Sequence, residues 1–138
     1  MSYHTPEGLD NNYVLKLIKR ALLKEYNYIK DVKIDYNEIE KYRTIFLEIY
    51  INPIKMSEHY NVPLMKYVHG YLKRGEELDA VSPSVILDMS YEEGREILDE
   101  MDEIVRGICD SPAIPKELKN LGNAPRTFGI GGFKSIPE

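Results

Sequence analysis

Residues 44–51 read TIFLEIYI, and this stretch decides the class of fold. Its aliphatic residues occupy every second position, which is typical of a β-strand whose two faces have different surroundings. The aliphatic face is expected to join the core and comprises Ile45, Leu47, Ile49 and Ile51. Phe46 and Tyr50 on the other face indicate that it is covered as well, by another chain or by the protein's own termini.

A second strand precedes this one, because Val32, Ile34 and Tyr36 alternate with charged residues. Only residues 37–43 separate the two strands, which is too short for the crossover that parallel pairing requires. The two strands are therefore predicted to form an antiparallel β-hairpin.

Three segments have the periodicity of amphipathic helices. The first is predicted over residues 11–26 and the second over residues 63–74, where Pro63 is suited to the first turn. The third, over residues 91–108, is the clearest, because Ser90 and Glu93 form a capping box at its start.

These elements predict an α+β fold, in which the hairpin of one compact domain packs against two or three helices. A third strand is expected at Val85-Ile86-Leu87, and a short helix capped by Ser82-Pro83 stays open as the alternative. We assign residues 1–8 to an N-terminal tail, residues 9–110 to the α+β body, and residues 111–138 to an extended C-terminal arm.

The length of 138 residues corresponds to one domain and excludes an enzyme with separate cofactor and substrate lobes. No apolar run reaches the roughly 18 residues of a membrane helix, and the N-terminus lacks the pattern of a signal peptide. We therefore expect a cytoplasmic or virion protein with no membrane partner. The one cysteine, Cys109, excludes an internal disulfide and metal sites that need two thiolates, and no cofactor is predicted.

The charge of the chain is concentrated in one segment. The formal net charge is −5, yet residues 76–110 carry twelve acidic residues against only Arg95 and Arg106, a net of −10. The other segments are near neutral or weakly basic. Nucleic-acid-binding proteins usually have a broad basic surface, so direct sequence-specific binding of nucleic acid is not expected.

The first predicted helix carries a row of basic residues on its polar side. Lys16, Arg20 and Lys24 stand four residues apart, so that their side chains lie on one face. Such a row is either a solvated face or a docking surface for an acidic partner. Residues 92–103 of the same or a neighbouring chain are one candidate for that partner.

The helix over residues 91–108 has more acidic residues than its capping and its dipole require. Glu92, Glu96, Glu100 and Glu103 lie on one face of this helix. Of these acidic residues, Glu96, Glu100 and Glu103 are proposed to bind a partner. The row is either a solvated face or a docking surface for a basic protein. Cation binding and mimicry of nucleic acid are further alternatives.

The C-terminal segment lacks regular periodicity but is not a simple linker. Residues 122–138 hold four glycines and two prolines, together with apolar groups that the segment cannot bury by itself. We expect the arm to insert these apolar side chains into grooves of adjacent subunits. The side chains concerned are Phe128, Ile130, Phe133 and Ile136. The run Gly129-Ile130-Gly131-Gly132 lacks the strand and helix that frame a phosphate-binding loop, so an anchoring role is favoured.

No motif indicates catalysis. His4, His59 and His69 match no common metal-ligand spacing. Acid–base chemistry by His59 with Glu58 or Asp88 is an alternative, but the sequence places no nucleophile beside these residues. The chain is therefore expected not to be an enzyme.

The α/β body and segment 124–133, APRTFGIGGF, together resemble small structural proteins of tailed-bacteriophage virions, of the neck or connector kind. The resemblance implies a non-enzymatic assembly protein that binds other protein subunits, in homo- or hetero-oligomers, through its C-terminal arm and charged helices. A place at the junction of virion head and tail is the corresponding expectation. The alternative is a small acidic regulatory or inhibitor protein whose acidic helix docks on a basic, nucleic-acid-binding target.

Overall fold

The computed structural model describes residues 11–35, 44–66, 78–80, 82–110, 120–121, 124–125 and 127–135. The elements follow in the order α1 (Asn11–Glu25), β1 (Ile29–Asp35), β2 (Thr44–Ile51), α2 (Pro53–Tyr60), β3 (Leu78–Ala80), α3 (Pro83–Ile86), α4 (Tyr91–Cys109), β4 (Asn120–Leu121), β5 (Ala124–Pro125) and β6 (Thr127–Ser135). The predicted α+β class and single domain are confirmed.

The central sheet is mixed and has the strand order β1-β2-β6-β3. β1 and β2 pair antiparallel, as the hairpin prediction requires, with Val32 opposite Ile49 and Ile34 opposite Leu47. β6 lies beside β2 in parallel orientation and beside β3 in antiparallel orientation. β4 and β5 form a separate two-stranded pair.

β2 buries one of its faces, as its alternation predicts. Leu47, Ile49 and Ile51 are fully buried and belong to the hydrophobic core. Phe46 and Tyr50 on the other face are half-buried and lie outside that core. The apolar side of the sheet is therefore the side on which the helices pack.

Two long helices, α1 and α4, cover the buried face of the sheet. α4 begins at the predicted capping box, in which the Glu93 N–H donates to Ser90 Oγ at 3.1 Å. Both helices have the apolar stripe that their periodicity predicts. The buried residues of these stripes are Val14, Ile18 and Leu22 of α1 and Ile97, Met101 and Val105 of α4.

The prediction of an extended C-terminal arm is wrong for residues 127–135, because they form β6 in the middle of the sheet. Phe128 is 9 % exposed and Phe133 is 1 % exposed, and both belong to the core of the body. The boundary between body and arm at residue 110 is therefore corrected. Because β6 lies between β2 and β3, its backbone forms hydrogen bonds on both sides and its apolar side chains are buried. A free arm would leave these groups exposed to water.

A bulge accommodates the glycines of β6. Leu47 pairs with Ile130 and the next residue, Glu48, pairs with Gly132, so that Gly131 is the additional residue. A Cβ added to Gly131 would lie 3.1 Å from Cβ of Phe46, and glycine therefore lets the two strands approach. The glycine run belongs to a bulged strand and not to a flexible anchor.

The predicted helix over residues 63–74 does not begin at Pro63. Leu64 forms an isolated antiparallel bridge with Leu87, and the Asp88 N–H donates to the carbonyl of Pro63 at 2.8 Å. These contacts hold the backbone extended, and the described chain becomes helical at Lys66.

The expected third strand at Val85-Ile86-Leu87 is also wrong, and the helical alternative is the one observed. Pro83–Ile86 form α3, with Ser82 as the N-cap residue. Proline in the first turn has a backbone φ suited to a helix, and the Leu87 N–H donates to the carbonyl of Pro83 at 2.8 Å.

Some predictions concern positions outside the described residues or side chains. They are the N-terminal tail over residues 1–8, Tyr36, the side chain of Ile45, residues 67–74 of the second predicted helix, His4, His69 and Ile136. Of the helices that are described, none is both long and apolar enough to cross a membrane.

If β6 is part of the core, shortening Phe133 must destabilise the whole domain. We expect Phe133→Ala to lower the free energy of unfolding by about 3–5 kcal/mol, because it leaves a cavity between sheet and helices. Lys134→Ala is the matched control on the opposite face of the same strand and is expected to cost less than about 1 kcal/mol. Urea denaturation measures both, and equal small losses would contradict the core position of β6.

Two glycines of α4 are expected to respond oppositely to alanine. A Cβ on Gly94 would lie 3.0 Å from the backbone nitrogen of Ser84 in α3, whereas a Cβ on Gly107 meets nothing within 4 Å. Gly107→Ala should therefore stabilise the protein by about 0.5–1 kcal/mol through helix propensity. Gly94→Ala should destabilise it, because α3 must move. Thermal unfolding of the two variants tests the packing of α3 on α4, and stabilisation by both would refute it.

Candidate functional site

The basic row on α1, which comprises Lys16, Arg20 and Lys24, is exposed as predicted. A rise of 1.5 Å per residue separates successive members by about 6 Å along the helix. Within the part of the chain that the structure describes, no carboxylate forms an ion pair with any of the three. Lys19 differs, because its Nζ lies 2.8 Å from Oδ1 of Asp31 in β1.

α4 carries an acidic row, which comprises Glu92, Glu96 and Glu103 and is exposed. The buried stripe of α4 fixes the rotation of the helix, and steps of about 100° per residue then place the row on one flank. None of the three carboxylates has a hydrogen bond or an ion pair with another described residue. The row is therefore available to a partner.

Glu100 lies on the same flank as the acidic row but already has a partner within the molecule. The Tyr26 hydroxyl donates a hydrogen bond to Oε1 of Glu100 at 2.6 Å. Tyr26 is buried just beyond the end of α1, so this bond ties α1 to the middle of α4. Of the three predicted acidic contacts, Glu96 and Glu103 have no partner among the described residues, whereas Glu100 is bound by Tyr26 of the same molecule.

A cluster of aromatic rings lies behind Glu100, where the ends of α1 and α2 meet. The hydroxyls of Tyr28 and Tyr60 lie 2.6 Å apart and share a hydrogen bond. The His59 ring centroid lies 5.3 Å from that of Tyr28, 4.7 Å from that of Tyr60 and 6.2 Å from that of Tyr26. Edge-to-face contacts of this kind stabilise packing, so the cluster joins the helices.

The phenols of this cluster stay protonated at neutral pH. Burial raises the pKa of Tyr28 above the ordinary 10.0, and the hydrogen bond with Tyr60 raises it further. Burial likewise raises the pKa of Tyr26, as do its hydrogen bond to Glu100 and the charge of that carboxylate. A phenol whose pKa is raised keeps its proton at neutral pH and so remains a hydrogen-bond donor.

Beside the acidic row, α4 also carries a group of charges of both signs. Nε of Arg95 lies 3.4 Å from Oδ1 of Asp99. Burial raises the pKa of Asp102, while a hydrogen bond from the Ile130 N–H and the charge of Arg106 act against that rise. Within this group Asp102 contacts β6, and because the group carries both signs of charge it does not extend the acidic row.

Charged groups on the outer face of the sheet are engaged with one another as well. Nζ of Lys33 lies 4.8 Å from the centroid of the Tyr50 ring. Nζ of Lys134 lies 3.2 Å from Oε2 of Glu48, to which the Tyr50 hydroxyl also donates at 3.2 Å. Among the residues that the structure describes, this face therefore supplies no free charged row.

The apolar residues predicted to bind a partner lie elsewhere than expected. Phe128 and Phe133 are buried in the core of their own chain, and Ile130 is half-buried and packs against it. Ile136 lies outside the described residues. Phe128, Ile130 and Phe133 are therefore corrected from contacts with a neighbouring subunit to contacts within the domain.

The predicted acid–base partners of His59 do not bind it in the described part of the chain. Its ring contacts tyrosines, and within the described part of the chain it forms no hydrogen bond with Glu58 or Asp88. The described residues also contain no group of three or more His, Cys, Asp or Glu side chains that could hold a metal ion.

The link from Tyr26 to Glu100 was missed by sequence reasoning. The two residues are far apart in the chain, and the only local signal is the pair of tyrosines at positions 26 and 28.

Comparison with protein-family models, with curated proteins and with solved structures found no match for this chain.

The raised tyrosine pKa values predict loss of stability at high pH. The unfolded chain releases the Tyr28 proton above about pH 10, whereas the folded chain retains it, so the stabilisation present below pH 10 is lost as pH rises. We expect Tyr28→Phe to reduce the slope of unfolding free energy against pH above 10. Tyr91→Phe, at an exposed tyrosine, is the matched control for loss of a tyrosine hydroxyl. Urea titrations from pH 8 to 11 measure the slopes, and identical slopes for wild type and Tyr28→Phe would contradict the burial of this phenol.

Proposed function

We propose that this chain is a non-enzymatic assembly protein that binds other protein subunits through its charged helices. The observation that supports the proposal is the pair of exposed rows on α1 and α4, one basic and one acidic, whose charges have no described partner. Complementary charged surfaces steer association and fix the register of an interface. The C-terminal segment supports the proposal only indirectly, by completing the sheet on which both helices pack.

One form of this assembly role is a place in a virion, at the junction of head and tail. Its support is the resemblance, stated from the sequence, of the α/β body together with segment 124–133 to small neck and connector proteins. Arm contacts through Phe128 and Phe133 are no longer part of it, because both rings lie in the core.

The acidic row also favours a second candidate, a regulatory protein that docks on a basic, nucleic-acid-binding target. Glu92, Glu96 and Glu103 are exposed on one flank, and burial in a basic surface would neutralise them. The two candidates differ in the basic row, since only the assembly protein needs Lys16, Arg20 and Lys24.

Sedimentation of the full-length protein in extracts of its native source, at low ionic strength, tests the assembly role. We expect it in a complex of defined stoichiometry, well above its own mass of 16.0 kDa. Reversal of the basic row, by Lys16→Glu, Arg20→Glu and Lys24→Glu, should release it, and so should Glu→Lys changes at positions 92, 96 and 103. Lys55→Glu with Lys66→Glu changes exposed charge elsewhere and should leave the complex intact.

Other outcomes distinguish the candidates. Release by the acidic-row variant alone would favour the regulatory protein and contradict the assembly role. Sedimentation of the wild type as a free 16.0 kDa monomer at low ionic strength would refute both.

A further inference from the structure

The first two charges of each row have the same spacing and opposite sign. The basic row has one charge every four residues from Lys16 to Lys24, and the acidic row begins with the same step, from Glu92 to Glu96. At 1.5 Å per residue both steps are about 6 Å, so two helices that lie side by side can place these charges opposite each other. The third carboxylate, Glu103, extends the acidic row by almost two further turns.

Within one copy the two rows do not meet. α1 and α4 contact each other through their buried stripes, which include Ile18 and Met101. Both charged rows are exposed, and among the described residues no ion pair joins one row to the other. A second molecule can therefore bring an acidic row against the basic row without breaking a described ion pair.

We propose that the partner of each row is the other row on a second copy of this chain. The inference rests on the proposed assembly function and names its partner. The basic row of one copy, Lys16, Arg20 and Lys24, docks on the acidic row of the next. Such an interface is heterologous, because different surfaces meet, and each bound copy still exposes one free row.

Charge complementarity favours a second copy as the occupant. The chain has a net charge of −5, and its acidic charge is concentrated over residues 76–110. The basic row is therefore a positive surface on a negative molecule, and it orients an approaching copy towards the acidic flank of α4. Each copy supplies both complementary surfaces, so association can continue into a ring or a filament.

The rigidity of α4 supports docking in register. The Tyr26 hydroxyl holds Glu100 at 2.6 Å, between Glu96 and Glu103 on the same flank. The α4 helix is thus tied to the end of α1 in its own molecule, so the position of the helix needs little rearrangement on binding. Because exposed ion pairs are individually weak, the association is expected to depend on protein concentration and on salt.

A charge-swap experiment with the full-length protein tests this proposal. One variant carries Lys16→Glu, Arg20→Glu and Lys24→Glu, and the other carries Glu92→Lys, Glu96→Lys and Glu103→Lys. Each variant alone has rows of one sign and should remain at 16.0 kDa in sedimentation equilibrium. An equimolar mixture restores opposite rows, so its mean mass should at least double.

Wild-type protein should show the same rise without mixing. Its association should decline as salt increases from about 0.1 M to about 1 M, where the screening length falls from about 10 Å to about 3 Å. The control variant, Lys55→Glu with Lys66→Glu, should associate like the wild type. Circular dichroism reports whether the reversed variants fold. If one does not, the neutral variant of the same row is used instead, either Lys16→Gln, Arg20→Gln and Lys24→Gln or Glu92→Gln, Glu96→Gln and Glu103→Gln. This neutral variant should abolish association.

Two results would overturn the proposal, namely a wild type that stays at 16.0 kDa in low salt and a mixture of folded swap variants that stays monomeric. The proposed function can survive such a failure. Charge-dependent sedimentation in a larger native complex, combined with a monomeric pure protein, would show that the rows bind a different subunit.

Discussion

The parallel pairing of β2 with β6 is the constraint on which the rest of this structure depends. β6 enters the sheet between β2 and β3, so it supplies hydrogen bonds to strands on both sides. It also carries Phe128 and Phe133 into the core. Without this strand the hairpin of β1 and β2 would have an open edge and an incompletely covered apolar face.

This constraint also determines which surfaces face outwards. α1 and α4 pack on the apolar side of the sheet, and their buried stripes fix the rotation of each helix. The charged rows are consequently exposed, while Tyr26 ties the end of α1 to Glu100 of α4. A partner meets two helices whose relative position is set by the core, and an interface on such a scaffold requires little reorganisation.

Local signals in the sequence predicted the elements that depend on local interactions. The alternation in Thr44–Ile51 predicted a strand, and the short connection predicted the hairpin. Ser90 and Glu93 located the start of α4 because a capping box acts within one turn. The exposed rows followed from helical spacing alone, since residues four apart share a face.

The C-terminal strand could not be found in the same way, because its signals are weak and its partners are distant. Three glycines lower the strand propensity of β6, and the bulge at Gly131 interrupts the alternation between Ile130 and Phe133. Ile130 of β6 pairs with Leu47 of β2, which is about 80 positions away in the chain. No local sequence pattern can therefore indicate this pairing. The same distance concealed the bond from Tyr26 to Glu100.

Native-state hydrogen exchange of the backbone amides in β6 tests the central claim most directly. If β6 is a central strand, its amides on both sides should exchange only through global unfolding, as slowly as those of β2. That result would place residues 127–135 in the cooperative core on which α1 and α4 rest. Fast exchange in β6 beside full protection in β1 and β2 would contradict the account and return this segment to a separate arm.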